Sequence, residues 1–581
     1  MNVTRGTQHV DWPWERLGVA LVLVTLIAGG CGRSPHETPN DAPAADGSAW
    51  FEDVATRRGL GFVHQSGHKD HFLLPEIMGG GAALFDMDGD GFLDVYLVQS
   101  GSVLSPSSTG NRLFRNRGDG TFEDVTLGSG ADLRGYGMGV TAGDYDGDGK
   151  VDLYVTQLGH NVLLHNDGRG HFTDVTATAG VASAGWSTSS MFMDYDGDGR
   201  LDLFVLHYIT WSSSAEVECR SLTGVLDYCS PGSYDAPTSA TLYRNNGNGT
   251  FADVSEQAGF QTAGGNGLGV VAGDFNGDGR LDIFVANDGT PNNLWINDGH
   301  GRFEDRALIM GCAIDQDGKP KAGMGVHAVD IDDDGDLDLL VVNLDGETDS
   351  LYRNEHGFFV DDTAAVGLRT TSRPFTRFGA GLLDFNNDGL LDLFEANGRV
   401  GLQFNTYSAD PYAEPNLLFR GLPGGRFEEV KPRGGTTRVL VATSRAAAFG
   451  DIDNDGGIDV LVANRDGPPH LLHNIVRTRG HWIQFKVIDE SGRDALGATV
   501  TAALEQRRIR RDVMAAYSYL ASNDPRVHIG LGSETRVRDV AVRWLDGRIE
   551  LFGEFAADRI VTLQRGRAFS SAPLRPTSRS R

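Results

Sequence analysis

Four-residue apolar runs recur along the chain: LYVT at 153–156, LFVL at 203–206, IFVA at 283–286 and LLVV at 339–342. Each is too short for a helix and rich in β-branched or aromatic residues, which predicts a buried strand. A stretch of small residues precedes the runs, as in MGVTAGD from Met138, LGVVAGD from Leu268 and MGVHAVD from Met324. Small side chains suit a strand crowded against a central axis. After the runs comes a second module, NRLFRNRGDGTFEDVT from Asn111, VLLHNDGRGHFTDVT from Val162 and TLYRNNGNGTFADVS from Thr241, with weaker copies from Asn293, Ser350 and Asn416. It reads as strand, Gly/Asn turn, strand. Each repeat thus supplies four strands, and seven such units set radially predict an all-β, seven-bladed β-propeller. Trp50–Val54 (WFEDV) carries the outer-strand signature ahead of the first repeat, whereas Leu471–Asn474 is followed by no such strand. The two are expected to share a blade and close the ring.

Between the small-residue strand and the apolar run stands a nine-residue acidic loop, seven times over. Positions 1, 3, 5 and 9 are Asp86, Asp88, Asp90 and Asp94, then Asp144, Asp146, Asp148 and Asp152, then Asp194, Asp196, Asp198 and Asp202. The fourth and fifth loops place Asp274, Asn276, Asp278 and Asp282, and Asp330, Asp332, Asp334 and Asp338, at these positions. The last two place Asp384, Asn386, Asp388 and Asp392, and Asp451, Asp453, Asp455 and Asp459. Two carboxylates roughly 4 Å apart repel by about 4 kcal/mol at an effective dielectric of about 20, so a positive partner is required. Asp or Asn at alternate positions with Gly at position 6 makes a hard oxygen cage, and Ca²⁺ is its natural occupant. One ion is expected per loop, up to seven in all. The backbone carbonyl of position 7 would join the side chains, at Phe92, Lys150, Arg200, Arg280, Asp336, Leu390 and Gly457.

An EF-hand is excluded, because its bidentate Glu at position 12 is replaced by Leu97, Val155, Val205, Val285 and Val341, by Glu395, and by Val462, each inside a strand-like run. Nonapeptide Ca²⁺ solenoids are excluded because successive loops start 50 to 80 residues apart.

The 581 residues carry a net charge of -28, of which residues 476–581 contribute 19 Lys/Arg against 12 Asp/Glu, leaving about -35 on the remainder. The acidity reflects metal sites and argues against nucleic-acid binding. The 78 glycines suit a turn-rich β protein. Arg5 and Arg16 precede an apolar stretch, Leu17–Ala28, that is short for a membrane span and right for a secretory signal. It ends in LIAGGC, similar to a bacterial lipobox, with Cys31 as the residue to be lipidated, although Ala28 stands where Leu, Val or Ile is usual. The expectation is an exported lipoprotein anchored at the cell envelope, in the outer membrane if there are two, with residues 32–49 as a polar tether. Cys219 and Cys229 lie close together in a long insertion, where an oxidising compartment permits a small disulfide loop worth about 3 kcal/mol. Cys312, within LIMGCAID, reads as a buried structural thiol.

The succession GxGxxxxD, DxDGDGxxD and LYRNxGDGTFxDVT resembles the FG-GAP/VCBS repeats of integrin-α-type propellers over residues 50–475. GHWIQFKVIDESGRDALGATV, SYLASNDPRVHIGLG and VAVRWLDG resemble the ASPIC/UnbV domain that follows such repeats in the cartilage acidic protein family and in exported bacterial proteins, here spanning 476–566 ahead of a disordered tail at 567–581. Leu545 stands where that domain usually has Pro. The insertion CRSLTGVLDYCSPGSY is similar to a cysteine-containing excursion of that family, which implies pairing of Cys219 with Cys229. The resemblance implies an exported Ca²⁺-binding propeller that recognises protein or carbohydrate at the cell surface.

The other class of reading is an enzyme on the same ring, such as a polysaccharide lyase or a redox protein. No nucleophile arrangement, phosphate loop or cofactor-attachment motif supports it, and the best lead is His64, His68, His71 and Glu76 in one connection, a possible transition-metal set or a polar loop. In an antiparallel blade the metal loops and hairpins share one face, and the long insertions at 207–239 and 399–414 emerge on the other. These carry Trp211, Tyr228, Tyr234, Phe404, Tyr407 and Tyr412, of which Trp211, Tyr407 and Tyr412 are the candidate partner contacts; the alternative is that these aromatics only pack down on the blades. Chelation should lower the melting temperature, and the fourth and sixth loops, one charge poorer through Asn276 and Asn386, should bind more weakly and fill last in a calcium titration. A melting temperature indifferent to chelator would remove the metal argument.

Overall fold

The computed structural model describes residues 49–69, 71–105, 109–262, 264–403 and 407–568, with the backbone of 570–572. The apolar stretch with Cys31, the tether and Phe404 lie outside the described residues. Among those described, no helix is long and apolar enough to cross a membrane.

Seven antiparallel sheets of four strands follow one another, one of them extended by a fifth strand. Their inner strands are Ala82–Phe85, Tyr136–Gly143, Ser187–Met193, Gly267–Gly273, Val326–Val329, Arg377–Leu383 and Ser444–Gly450. Each inner strand packs against the next, and the seventh packs against the first, so the sheets form a closed, propeller-like ring. The ring closes through its earliest strand: Phe51–Asp53 pairs with His470–Asn474, Phe51 opposite Asn474.

Neighbouring sheets are joined by one recurrent side chain. The Asn that ends the third strand donates its amide both to its own sheet and to the loop of the sheet before it. Asn116 reaches Leu93 O at 3.1 Å and Ile452 O at 2.8 Å, and Asn297 reaches Leu281 O at 3.1 Å and Tyr195 O at 2.8 Å. Asn166, Asn245, Asn354 and Asn474 make the equivalent bonds to Met87, Tyr145, Phe275 and Phe385. At the sixth sheet Gly421 takes this place, where a Cβ would fall 2.3 Å from Leu391 O, and the joint has no staple.

The C-terminal domain is a small β unit of two sheets. His481–Ile488 lies between antiparallel Val527–Gly532 and parallel Arg559–Gln564; the second sheet is built on Thr499–Ala503, Arg508–Asp512, Arg536–Arg543 and Ile549–Ala556. The expected disordered tail is corrected at one point, because the backbone of Ser570–Ala572 adds a strand to the open edge at Ile549–Leu551. An unpaired edge accepts any extended segment, and this Ser/Ala run has no apolar alternation to announce it.

This domain sits on the acidic-loop side of the ring. Arg543 meets Asp274 at 2.8 Å and Arg507 meets Asp333 at 3.0 Å. Arg511 donates to Asp330 O, Arg510 to Gly335 O, Arg526 to Asp451 O and Arg493 to Gly199 O, at 3.1, 2.6, 2.9 and 2.7 Å. Over the first two loops it stands off, with Lys486 3.8 Å from Asp86, and leaves a cavity of about 720 Å³.

Residues 515–524 then enter the centre of the ring. Ala521–Ser522 pairs in parallel with Ala82–Ala83. Backbone or side-chain hydrogen bonds tie the segment to Val326, Ala380, Ala142, Phe449 and Ser189 on five further inner strands. Ser518 and Leu520 take φ of 78° and 52°, a costly region for residues with a Cβ, held here by those bonds. Gly81 permits the approach: a Cβ there would lie 2.4 Å from Leu520 O. Tyr517 stacks on His327 at 4.0 Å.

Asn297→Ala leaves two buried carbonyls without donors and should lower unfolding free energy by about 1–3 kcal/mol, read from the denaturant midpoint at unchanged slope. The exposed Gln257 changed to Ala should cost less than about 0.5 kcal/mol.

Candidate metal centres and the opposite face

In the loops, the first Asp folds over the turn and caps it. Asp144 accepts from the N–H groups of Gly147, Asp148 and Gly149 at 2.8, 3.1 and 2.8 Å, and Asp194 does the same for its own loop. Position 6 is the bend the sequence indicates. Position 4 is a second one, where Gly147 has φ of 75° and Asp333, Asn387 and Asn454 take 61°, 57° and 59°. Asp and Asn tolerate that region better than other residues with a Cβ.

The last Asp of each loop is buried and latches the loop to the sheet. Asp94 accepts from Met87 N–H and Asn116 N–H, both at 2.8 Å, and every other loop repeats the pair. Burial pushes the carboxyls of Asp94, Asp202 and Asp282 up to about 8, because a charge there is far from water. A bound cation is what would hold them ionised.

The donor atoms converge. Those of Asp86, Asp88 and Asp90 lie within 4.8 Å of one another, as do those of Asp144, Asp146 and Asp152 and those of Asp194, Asp196 and Asp202. One oxygen each of Asp88, Asp330 and Asp453 is buried without a hydrogen-bond partner. An orphaned carboxylate oxygen aimed among like charges fits a hard divalent cation, so the residues suit Ca²⁺. At position 7, the side chains of Lys150, Arg200 and Arg280 turn back onto Asp148, Asp198 and Asp278, and offset part of the loop charge.

Three segments meet on the other face. Tyr228 of the first insertion hydrogen-bonds His68 at 3.0 Å, Tyr412 of the second hydrogen-bonds Asp227 of the first at 2.9 Å, and Arg465 lies over both tyrosine rings. Cys219 and Cys229 are joined as a disulfide, and Cys312 is buried and free. The four residues of the possible transition-metal set do not act as one. His64 is buried with both ring nitrogens engaged, Nε2 with Ser100 Oγ at 2.9 Å and Nδ1 accepting from Asp466 N–H at 3.2 Å; burial lowers its pKa to about 4. His68 pairs with Glu76 at 3.1 Å, and His71 is exposed.

The candidate partner aromatics divide between the two expectations. Tyr412 is only 5% exposed, and Trp211 packs against Trp186 and donates to Glu216 at 2.7 Å, so both brace the platform from within. Tyr407 alone of the three is open to solvent. Buried area attracts aromatics as strongly as partners do, and the sequence does not separate the two uses. What stands free instead is aliphatic: Leu222, Val225, Val217 and Leu104. Leu104 and Val217, with His71, Phe72, Leu73 and Leu226, line a hollow of about 320 Å³.

Comparison with known proteins fits this geometry. FG-GAP-like repeats match residues 86–155, 144–205, 223–285, 274–341, 330–395 and 384–462, most windows running from one acidic loop into the strand after the next, and the ASPIC and UnbV domain matches 488–569. Cartilage acidic protein 1 of Mus musculus is 26% identical over 484 residues, covering 81% of this chain and 62% of its own length. The Homo sapiens protein is 25% identical over 512 residues, covering 86% and 65%. The chain therefore spans less than two thirds of these curated relatives. Among solved structures, the BP39L lectin of Burkholderia pseudomallei aligns with 68% of this chain and 96% of its own at 12% identity and a TM-score of 0.41. An Agrocybe aegerita lectin that recognises non-reducing terminal N-acetylglucosamine aligns with 67% and 86% at 16% identity and a TM-score of 0.35. The chain belongs to the FG-GAP-like repeat family and carries an ASPIC/UnbV domain behind its propeller.

Proposed function

We propose that the protein is an exported, Ca²⁺-stabilised binding protein of the adhesion type, which takes a protein or carbohydrate partner on the face opposite its metal loops. One observation carries the choice of face. The C-terminal domain lies over the loops and residues 515–524 fill the ring's centre, so the chain itself uses those surfaces. The face left open has a rigid aromatic base, a disulfide-held hairpin and a hollow edged by exposed aliphatic side chains. Rigid, partly apolar concavities are where binding energy concentrates. The disulfide and the likeness to cartilage acidic protein 1 favour an oxidising, extracytoplasmic setting.

The wild-type protein, screened against glycan and envelope-protein arrays, supplies the ligand for the test. Leu222→Ser with Val225→Ser should then weaken binding by about 2 kcal/mol or more, in the range of interface anchors, with Ca²⁺-dependent melting unchanged. Undiminished affinity in that folded variant would exclude the hairpin and move the site to the blade rim or the C-terminal domain.

A further inference from the structure

Three residues beyond the last Asp of its loop, every sheet but one places an apolar side chain, Leu97, Val155, Val205, Val285, Val341 or Val462, and the sixth places Glu395 there. Glu395 lies in the strand Asp392–Asn397, opposite Ala380 and Leu417, and is fully buried. Leu393, on the same face of that strand, packs among Leu340, Val342 and Leu351 of the fifth sheet, so Glu395 is turned into the joint between the fifth and sixth sheets. This is the joint that Gly421 leaves without a staple.

Two other charged side chains are sealed in with it. Asp349, at the end of the connection into Ser350–Asn354 of the fifth sheet, and Arg377, at the start of the sixth sheet's inner strand, are both 0% exposed. Arg377 Nε donates to Asp349 Oδ1 at 2.8 Å. Its other nitrogens go to backbone carbonyls, Nη1 to Leu344, Ser372 and Phe375 and Nη2 to Glu347. Asp349 Oδ2 and both oxygens of Glu395 receive no donor, although the two carboxyls face each other within hydrogen-bonding reach.

Two ionised carboxylates and one guanidinium would leave a net negative charge away from water, which a protein interior tolerates poorly. No further cation cancels it. Glu429, the next charged group toward Glu395, is another acid. Lys321 bonds Thr348, Ser350 and the Asp349 carbonyl, and it also faces the acid Glu347. One proton on Glu395 removes the excess charge, gives Asp349 Oδ2 its donor and leaves Asp349 paired with Arg377. Burial, and then the charge of Asp349, hold the Glu395 carboxyl well above the usual glutamate range.

We propose that Glu395 stays protonated in the folded ring and donates to Asp349 Oδ2, so that a shared proton ties the fifth and sixth sheets at the one joint without an asparagine staple. The folded ring then keeps a proton that the unfolded chain releases above about pH 4.3. Stability from this group is therefore complete below that range and is lost as pH rises from there to the folded-state value.

Unfolding of the full chain in millimolar Ca²⁺ is followed by denaturant titration from about pH 5 to pH 8, for the wild type and for Glu395→Gln, whose amide keeps the shape and a donor for Asp349 but has no proton to lose. All other titrating groups are common to both. The folded-to-unfolded ratio of Glu395→Gln should gain on that of the wild type by about tenfold per pH unit up to the folded-state value. A difference that stays flat over the range overturns the proposal. So does a Glu395→Gln variant less stable than the wild type at the alkaline end, because that result means an ionised Glu395 held by Arg377 or by a bound cation. Asp349→Asn leaves Arg377 a single carboxylate to balance and should gain on the wild type in the same way. It decides the question if Glu395→Gln fails to fold, and a pH slope equal to that of the wild type overturns the proposal.

Discussion

The crowding of carboxylates on one face of the ring is the constraint that the rest of the molecule answers. The seven loops hold 28 aspartates, and at an effective dielectric of about 20 each close pair costs about 4 kcal/mol before it is offset. Backbone N–H groups inside each loop take the first Asp, the sheet takes the last, and basic side chains from the third strands reach the ones between. The C-terminal domain adds a layer of arginines from above. Its positive balance is thus the electrostatic complement of the propeller, and its position follows from charge as much as from shape.

That arrangement divides the ring into unlike faces. On the loop side, charges are matched to charges and the surface is spent on holding two domains together. On the other side, three connections with no shared motif converge on a tyrosine, histidine and arginine cluster whose members satisfy one another. A platform of that kind is stiff, and stiffness lowers the entropy lost when something binds above it.

Much of the architecture was legible because it repeats. The acidic loops, the small-residue strands and WFEDV sufficed to place the sheets and the closing strand, since each rests on local pattern. The staples were visible only as the Asn in FRN, LHN and YRN; that their amides cross to a neighbouring sheet is a tertiary fact. Nor does SYLASND announce that it fills a channel, because it has neither apolar alternation nor a turn signature, and the side-chain hydrogen bonds that tie it to the inner strands span 74 to 380 residues of sequence. The charge asymmetry between the two parts was the one available hint of the clamp. Aromatics in the insertions left two uses open for a different reason: Tyr412 and Trp211 serve as internal struts, and side-chain type alone does not distinguish a strut from a contact. Gly421 looks like one more turn glycine until the missing staple is seen.

Closure through Phe51 and Asn474 also sets an order in time. The first strand to leave the ribosome has no partner until more than four hundred further residues have followed it, and the channel cannot be filled until residues 515–524 arrive after that. Early sheets can form, but they wait with an open seam and an empty bore. Folding is therefore largely a post-translational event, slow because its decisive contacts are the most distant in sequence.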